Sequence, residues 1–105
     1  MTYENTLIAL ADPTRRKIFE SLTAEPRSVS EIAEHFPVSR PAISQHLKVL
    51  AEADLATFEA QGNRNLYRRN RKGLEALREY LERYWGEVLE AFSNEIDNQE
   101  GDKNG

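Results

Sequence analysis

Residues 39–55 read SRPAISQHLKVLAEADL, and the fold turns on what this run can be. Ser39 offers a hydroxyl to the open amides of a helix start, and Pro41 is tolerated in the first turn because those amides have no intrahelical acceptor. Ile43, Leu47 and Leu50 then fall at the i, i+4, i+7 spacing of a buried stripe. With ~100° between successive residues, Ser44, Gln45 and Lys48 point the opposite way. A helix that only meets water has no need of such a set of hydrogen-bonding tips. That outer face predicts a binding surface.

Working outward, the preceding sequence supplies two further helical stretches. Asn5 to Thr23 carries Leu7, Leu10, Ala11, Ile18 and Leu22, interrupted at Asp12-Pro13, where proline cannot continue the hydrogen-bond ladder. Two helices, or one broken helix, fit this run. Glu25-Pro26 marks a turn, and Ser28-Val29-Ser30-Glu31 fits a capping box that opens a short helix to about Phe36, with Ile32, Ala33 and Phe36 inward. Pro37 ends it.

After Asp54 the periodicity changes. Residues 56–59 and 65–69 are β-compatible runs on either side of Gln61-Gly62-Asn63-Arg64, which predicts a hairpin. From Lys72 to about Ile96 a long helical pattern follows, with Leu74, Leu77, Leu81, Tyr84, Val88 and Phe92 close to a 3.5-residue spacing. Trp85, Leu89 and Ile96 widen that stripe. A helix of ~24 residues is ~36 Å long, more than a core this small can cover, which directs its apolar side to a second copy of the chain. Tyr80, Tyr84, Trp85 and Phe92 could also line a ligand pocket between the terminal helices, but their spacing is that of a helix–helix seam. Residues 1–97 read as one domain and residues 98–105 as a polar, disordered tail.

Helix, short helix, tight turn, helix, hairpin, long helix is the order of a winged helix-turn-helix module, a mainly α fold with a small β-hairpin (α+β). In that arrangement the second helix of the turn lies in the DNA major groove, where Gln45 can bond adenine, Ser44 several base edges or phosphates, and Lys48 a phosphate or guanine. Arg40 points forward from the helix start. His46, at the edge of the buried side, could bond a phosphate or simply pack.

The chain has 105 residues, 39% of them apolar and 30% charged, which suits one helical domain with much exposed surface or a dimer. No apolar run approaches the ~20 residues that cross a bilayer, and the first residues show no signal segment, so the expected location is the cytoplasm. The absence of cysteine excludes disulfides and thiolate metal sites. The net charge of −4 is unevenly spread: eleven basic residues stand against nine acidic ones through Lys72, and three against nine beyond it. Arg64, Arg68, Arg69, Arg71 and Lys72 follow one another with no acid among them, as either a solvated face or a nucleic-acid contact.

ALADPTRRKIFESL at 9–22, SVSEIA at 28–33, the 39–55 stretch and the Gly62–Tyr67 turn together resemble the ArsR/SmtB family of small dimeric bacterial repressors, over roughly residues 6–92. The resemblance implies a homodimer held by the first and last helices, binding an inverted-repeat DNA operator and repressing transcription. It carries the DNA-reading role onto Ser39, Arg40, Ser44, Gln45, His46 and Lys48, and the wing role onto Asn63, Arg64 and Arg68. Dimerisation is expected through Leu7, Leu10, Leu77, Leu81, Tyr84, Trp85, Val88 and Phe92. Phe58-Glu59-Ala60 departs from the family's habit of basic residues before the wing turn.

The resemblance also raises metal sensing. One sensor type has cysteines where this chain has Ser28-Val29-Ser30-Glu31, and serine hydroxyls are poor ligands for soft metals. Another uses Asp and His on the last helix, which here has no histidine; no metal site and no cofactor are therefore expected. A small organic effector at the dimer interface and a protein-binding use of the winged helix remain alternatives. An enzyme finds no cysteine nucleophile, no glycine-rich phosphate loop and no H-E-x-x-H motif.

Overall fold

The computed structural model describes residues 2–104 along the backbone, with side chains over 3–87 and at 90, 91 and 93. The chain opens with α1 (Thr2–Ala11) and α2 (Pro13–Ser21). Asp12 separates them: its backbone is extended at φ −77° and ψ 120°, and its Oδ1 accepts the Arg15 amide at 2.9 Å. This is an N-cap followed by proline at the first helical position, where the missing N–H costs nothing. Of the two readings open for this stretch, two helices is the one observed.

Next come β1 (Arg27–Ser28), α3 (Val29–Ala33) and α4 (Arg40–Glu52). The Ser28–Glu31 capping box is present, with both reciprocal bonds formed. The helix it starts stops at Ala33 rather than Phe36; the chain winds on through tighter bonds, from the His35 amide to the Ile32 carbonyl and from Phe36 to Ala33. β2 (Ala56–Gln61) and β3 (Arg64–Arg69) form the expected hairpin. Its loop is Gly62-Asn63 alone. Gly62 sits at φ +62° while Asn63 does not enter the positive region, as in a type II′ turn, whose twist matches that of the paired strands.

The hairpin does not stand alone. Arg27 and Ser28 pair antiparallel with Tyr67 and Leu66, giving a three-stranded sheet in the order β1-β3-β2. The last element, α5 (Lys72–Asn104), continues past Ile96, where the apolar stripe ends. Its backbone includes residues 98–104, where the composition predicts a disordered tail, and the Val88 and Phe92 side chains lie outside the described residues.

Ile18, Leu22, Ile32, Ile43, Leu47, Leu50 and Leu55 fill the core between the helices and the sheet, with Tyr67 closing it from the wing. The end of α4 is held by two bonds: the Asp54 amide donates to the Ala51 carbonyl at 3.1 Å and the Leu55 amide to Leu50 at 2.9 Å. This is a Schellman motif with Asp54, at φ 57°, in the left-handed position that glycine usually takes. Gly73 then docks on it, donating its amide to the Asp54 carbonyl at 2.8 Å and accepting the Thr6 hydroxyl at 3.1 Å. A Cβ on Gly73 would lie 2.4 Å from the Ala53 carbonyl oxygen, so only glycine lets α5 start this close to α4.

Along α1 the buried positions are Thr6 and Ala9, and Leu10 is half-buried against the core. Leu7 and Ile8 are left 46% and 66% exposed. On α5, Leu81, Tyr84 and Trp85 are also exposed, and Leu77 is half-buried. Tyr80 stacks on Tyr3 of α1 with ring centroids 4.2 Å apart. Among the described residues no helix is long and apolar enough to cross a membrane.

Candidate nucleic-acid interface

The candidate surface is built on α4. Ser39 caps it, its hydroxyl accepting the Ala42 amide at 3.3 Å. Ile43, Leu47 and Leu50 are fully buried, which fixes the rotation of the helix. Of the three residues that the spacing turns outward, Gln45 and Lys48 are exposed, and Arg40 is exposed at the helix start. Ser44 is half-buried because it turns toward the wing. With Arg40, Pro41, Ser30, Asn63, Arg64 and Asn65 it lines an open cleft of about 350 Å³ between α4 and the hairpin tip.

His46 occupies a defined place. Its Nδ1 accepts a hydrogen bond from Arg15 Nε at 3.3 Å, and the same guanidinium donates to the Ala9 carbonyl at 3.3 Å. Arg15 thus ties the end of α1 to the middle of α4. In a neutral ring, an accepting Nδ1 puts the proton on Nε2. Asp12 stands close behind, its carboxyl held below the ordinary range chiefly by the Arg15 amide, with His46 and the Arg15 charge adding to the effect and burial opposing it. Packing and binding are therefore compatible for His46, each using a different nitrogen.

The wing arginines are engaged within the protein. Arg64 Nη2 lies 2.7 Å from Glu31 Oε1, and Arg68 Nε lies 3.3 Å from Glu59 Oε1. Glu31 also accepts the Ser28 hydroxyl at 3.0 Å. The Ser28 hydroxyl and amide, followed by the Arg64 charge, hold the Glu31 carboxyl below its usual value against the opposing effect of burial. Neither pairing is expected from the sequence motifs, although Glu59 stands out there as a departure in the leading strand. Ser30 and Asn65, which complete the cleft, carry no sequence signal: a single serine in a capped turn and a single asparagine in a strand are ordinary. Among the described residues, no group of three or more His, Cys, Asp or Glu side chains converges as a metal site would require.

Comparison with known proteins bears on this geometry. A family of helix-turn-helix domains matches residues 10–57. An HTH-type transcriptional regulator of Mycobacterium tuberculosis is 49% identical over 94 residues, which take in 90% of this chain and 87% of that one. The arsenical resistance operon repressor of Staphylococcus xylosus is 32% identical over 76 residues, 72% of this chain and 73% of its own. Among solved structures, an ArsR-like transcriptional regulator from a Rhodococcus species superposes with a TM-score of 0.75 at 30% identity, covering 88% of this chain and 87% of that one. The likeness extends through the recognition helix and the wing into the terminal helices, and on it the chain belongs to the ArsR/SmtB family of winged helix-turn-helix transcriptional regulators.

Proposed function

We propose that this regulator is a homodimeric repressor that reads an inverted-repeat operator, each protomer laying α4 in the major groove and its wing on the flanking backbone. It acts by binding DNA and is not an enzyme. The observation that carries the reading is the convergence of Arg40, Ser44, Asn63 and Arg64 on one open cleft beside the exposed Gln45 and Lys48. A cleft with two guanidiniums and several short hydrogen-bonding side chains suits a phosphate strand passing between helix and wing. Gln45 and Lys48 then reach base edges, with Gln45 suited to adenine. The Ser39 hydroxyl and His46 Nε2–H are the donors these two residues can offer to phosphates. Arg64 and Arg68 can do the same once released from Glu31 and Glu59, since exposed pairs of this kind hold only weakly.

The other end of the molecule supports a second copy. Leu7, Ile8, Leu81, Tyr84 and Trp85 leave an apolar surface on α1 and α5, and Leu74, Leu77, Leu81 and Trp85 border an open groove of about 480 Å³ on α5. A matching surface on a partner would cover it and set two α4 helices against half-sites about one helical turn apart. Under this reading the protein works on the nucleoid, in the cytoplasm.

The test is fluorescence anisotropy with DNA from the regulator's own promoter and a shuffled duplex of equal length, titrated from ~50 to ~200 mM salt. The proposal expects binding to the promoter fragment ~10³-fold or more tighter than to the shuffled one, falling steeply with salt. Equal affinity for both duplexes would defeat it.

A further inference from the structure

We infer that Glu31 sets how firmly the wing grips DNA, because it holds the wing-tip Arg64 in the unbound protein and must surrender it to a phosphate on binding. This rests on the DNA-binding reading above. Three ion pairs occur among the described residues. Arg68–Glu59 lies within one hairpin and Arg78–Glu82 within one helix, so both are local. Arg64–Glu31 alone crosses from the wing to the helix-turn-helix, between side chains 33 positions apart.

Its acidic partner is anchored. The Glu31 oxygen that meets Arg64 also accepts the Ser28 hydroxyl at 3.0 Å and faces the Ser28 amide at 3.5 Å. Ser28 is itself buried and paired with Leu66 in the sheet, two residues along β3 from Arg64. The carboxylate is thus fixed relative to the strand that carries the arginine. Across the cleft, Arg40 forms no ion pair among the described residues. One of the two cleft guanidiniums is open to a phosphate, and the other is already countered.

A phosphodiester and a carboxylate compete for the same N–H donors and repel each other at close range. Binding therefore exchanges one anion for another at Arg64, while Arg40 simply gains one. Phosphate contacts carry no base information, so the exchange weakens operator and non-operator DNA alike.

Glu31→Gln is the direct test, since glutamine at this position preserves the capping box while removing the charge. The variant is expected to bind both promoter and shuffled DNA ~1.5–5-fold more tightly, the range that measured exposed ion pairs span. In an Arg64→Ala background the same substitution should bring no gain, and melting curves should show all variants folded at the assay temperature. A gain that persists without Arg64 would mean general repulsion and would overturn the inference. So would unchanged affinity in a folded Glu31→Gln protein whose wild type discriminates the promoter. Wild-type protein that binds both duplexes equally defeats the repressor reading alone, whereas wild-type protein that binds neither overturns the exchange at Arg64 as well.

Discussion

Replacing Gly73 by alanine tests whether the start of α5 is seated as tightly as its hydrogen bonds indicate. The added Cβ would sit 2.4 Å from the Ala53 carbonyl oxygen, 3.0 Å from that of Asp54 and 3.1 Å from Leu55 Cδ2. The two oxygens belong to backbone that the Schellman bonds hold in place, so no flexible side chain can swing aside. To reach even 3.0 Å from Ala53, α5 must retreat by roughly 0.6 Å. Retreat stretches the Gly73–Asp54 bond and the one from the buried Thr6 hydroxyl.

Overpacking of this kind costs ~1–3 kcal/mol, and a weakened buried hydrogen bond adds ~1 kcal/mol. Alanine returns up to ~1 kcal/mol through its better helix propensity, and less in a first turn. The expected net destabilisation is about 2 kcal/mol, or ~8–16 °C in Tm for a domain of this size. Circular dichroism melts at equal protomer concentration would measure it, concentration being fixed because a dimer's Tm depends on it. A variant as stable as the wild type would show that α5 does not begin against the end of α4.

Further predictions concern the interface, the dimer and the acid limit. Gln45→Ala should cost ~1–3 kcal/mol at the operator and leave shuffled-DNA binding nearly unchanged; an equal loss on both would remove Gln45 from base reading. Trp85→Ala should weaken self-association by at least ~10-fold and operator binding with it, by analogy with buried aromatic anchors at other interfaces; an unchanged sedimentation profile would exclude α5 as the seam. Asp12 has a depressed folded-state pKa, so its contribution to stability is complete above the unfolded value near ~3.9 and is lost as pH falls through the folded value. Asp12→Asn keeps a capping residue but removes that titration, and the acid side of the stability–pH curve should flatten. An acid limb identical to that of the wild type would show that Asp12 is not coupled to folding.

What could be read from the sequence was what the chain decides over short distances. The α4 stripe, its Ser39 cap, the Ser28–Glu31 box and the Asp12 break are local, and each is found where the residues place it. β1 was not legible: two residues show no period, and its partners lie about forty positions away. The Arg64–Glu31 and Arg15–His46 contacts are hidden for the same reason, although all four residues stand in conspicuous motifs. Leu10, which the sequence assigns to the outer seam, is half-buried and touches the core. The cause is the close approach at Gly73: small Thr6 and Ala9 occupy the buried side of α1 there, and rotating them inward carries Leu7 and Ile8 out.

The two-residue strand β1 bears on what can be cut from this protein. A fragment spanning 10–57, the helix-turn-helix as sequence families delimit it, contains β1 but not the strand it pairs with. It would also lose the bonds by which the Arg69 amide reaches the Thr23 carbonyl, Asn70 reaches Leu55 and Gly73 reaches Asp54. Leu55 and Ala56 would meet water, and the acceptors at both ends of the helical pair would stand open. The recognition helix is therefore a poor subject for transplantation on its own: the smallest portable unit must run through the wing and into the first turn of α5.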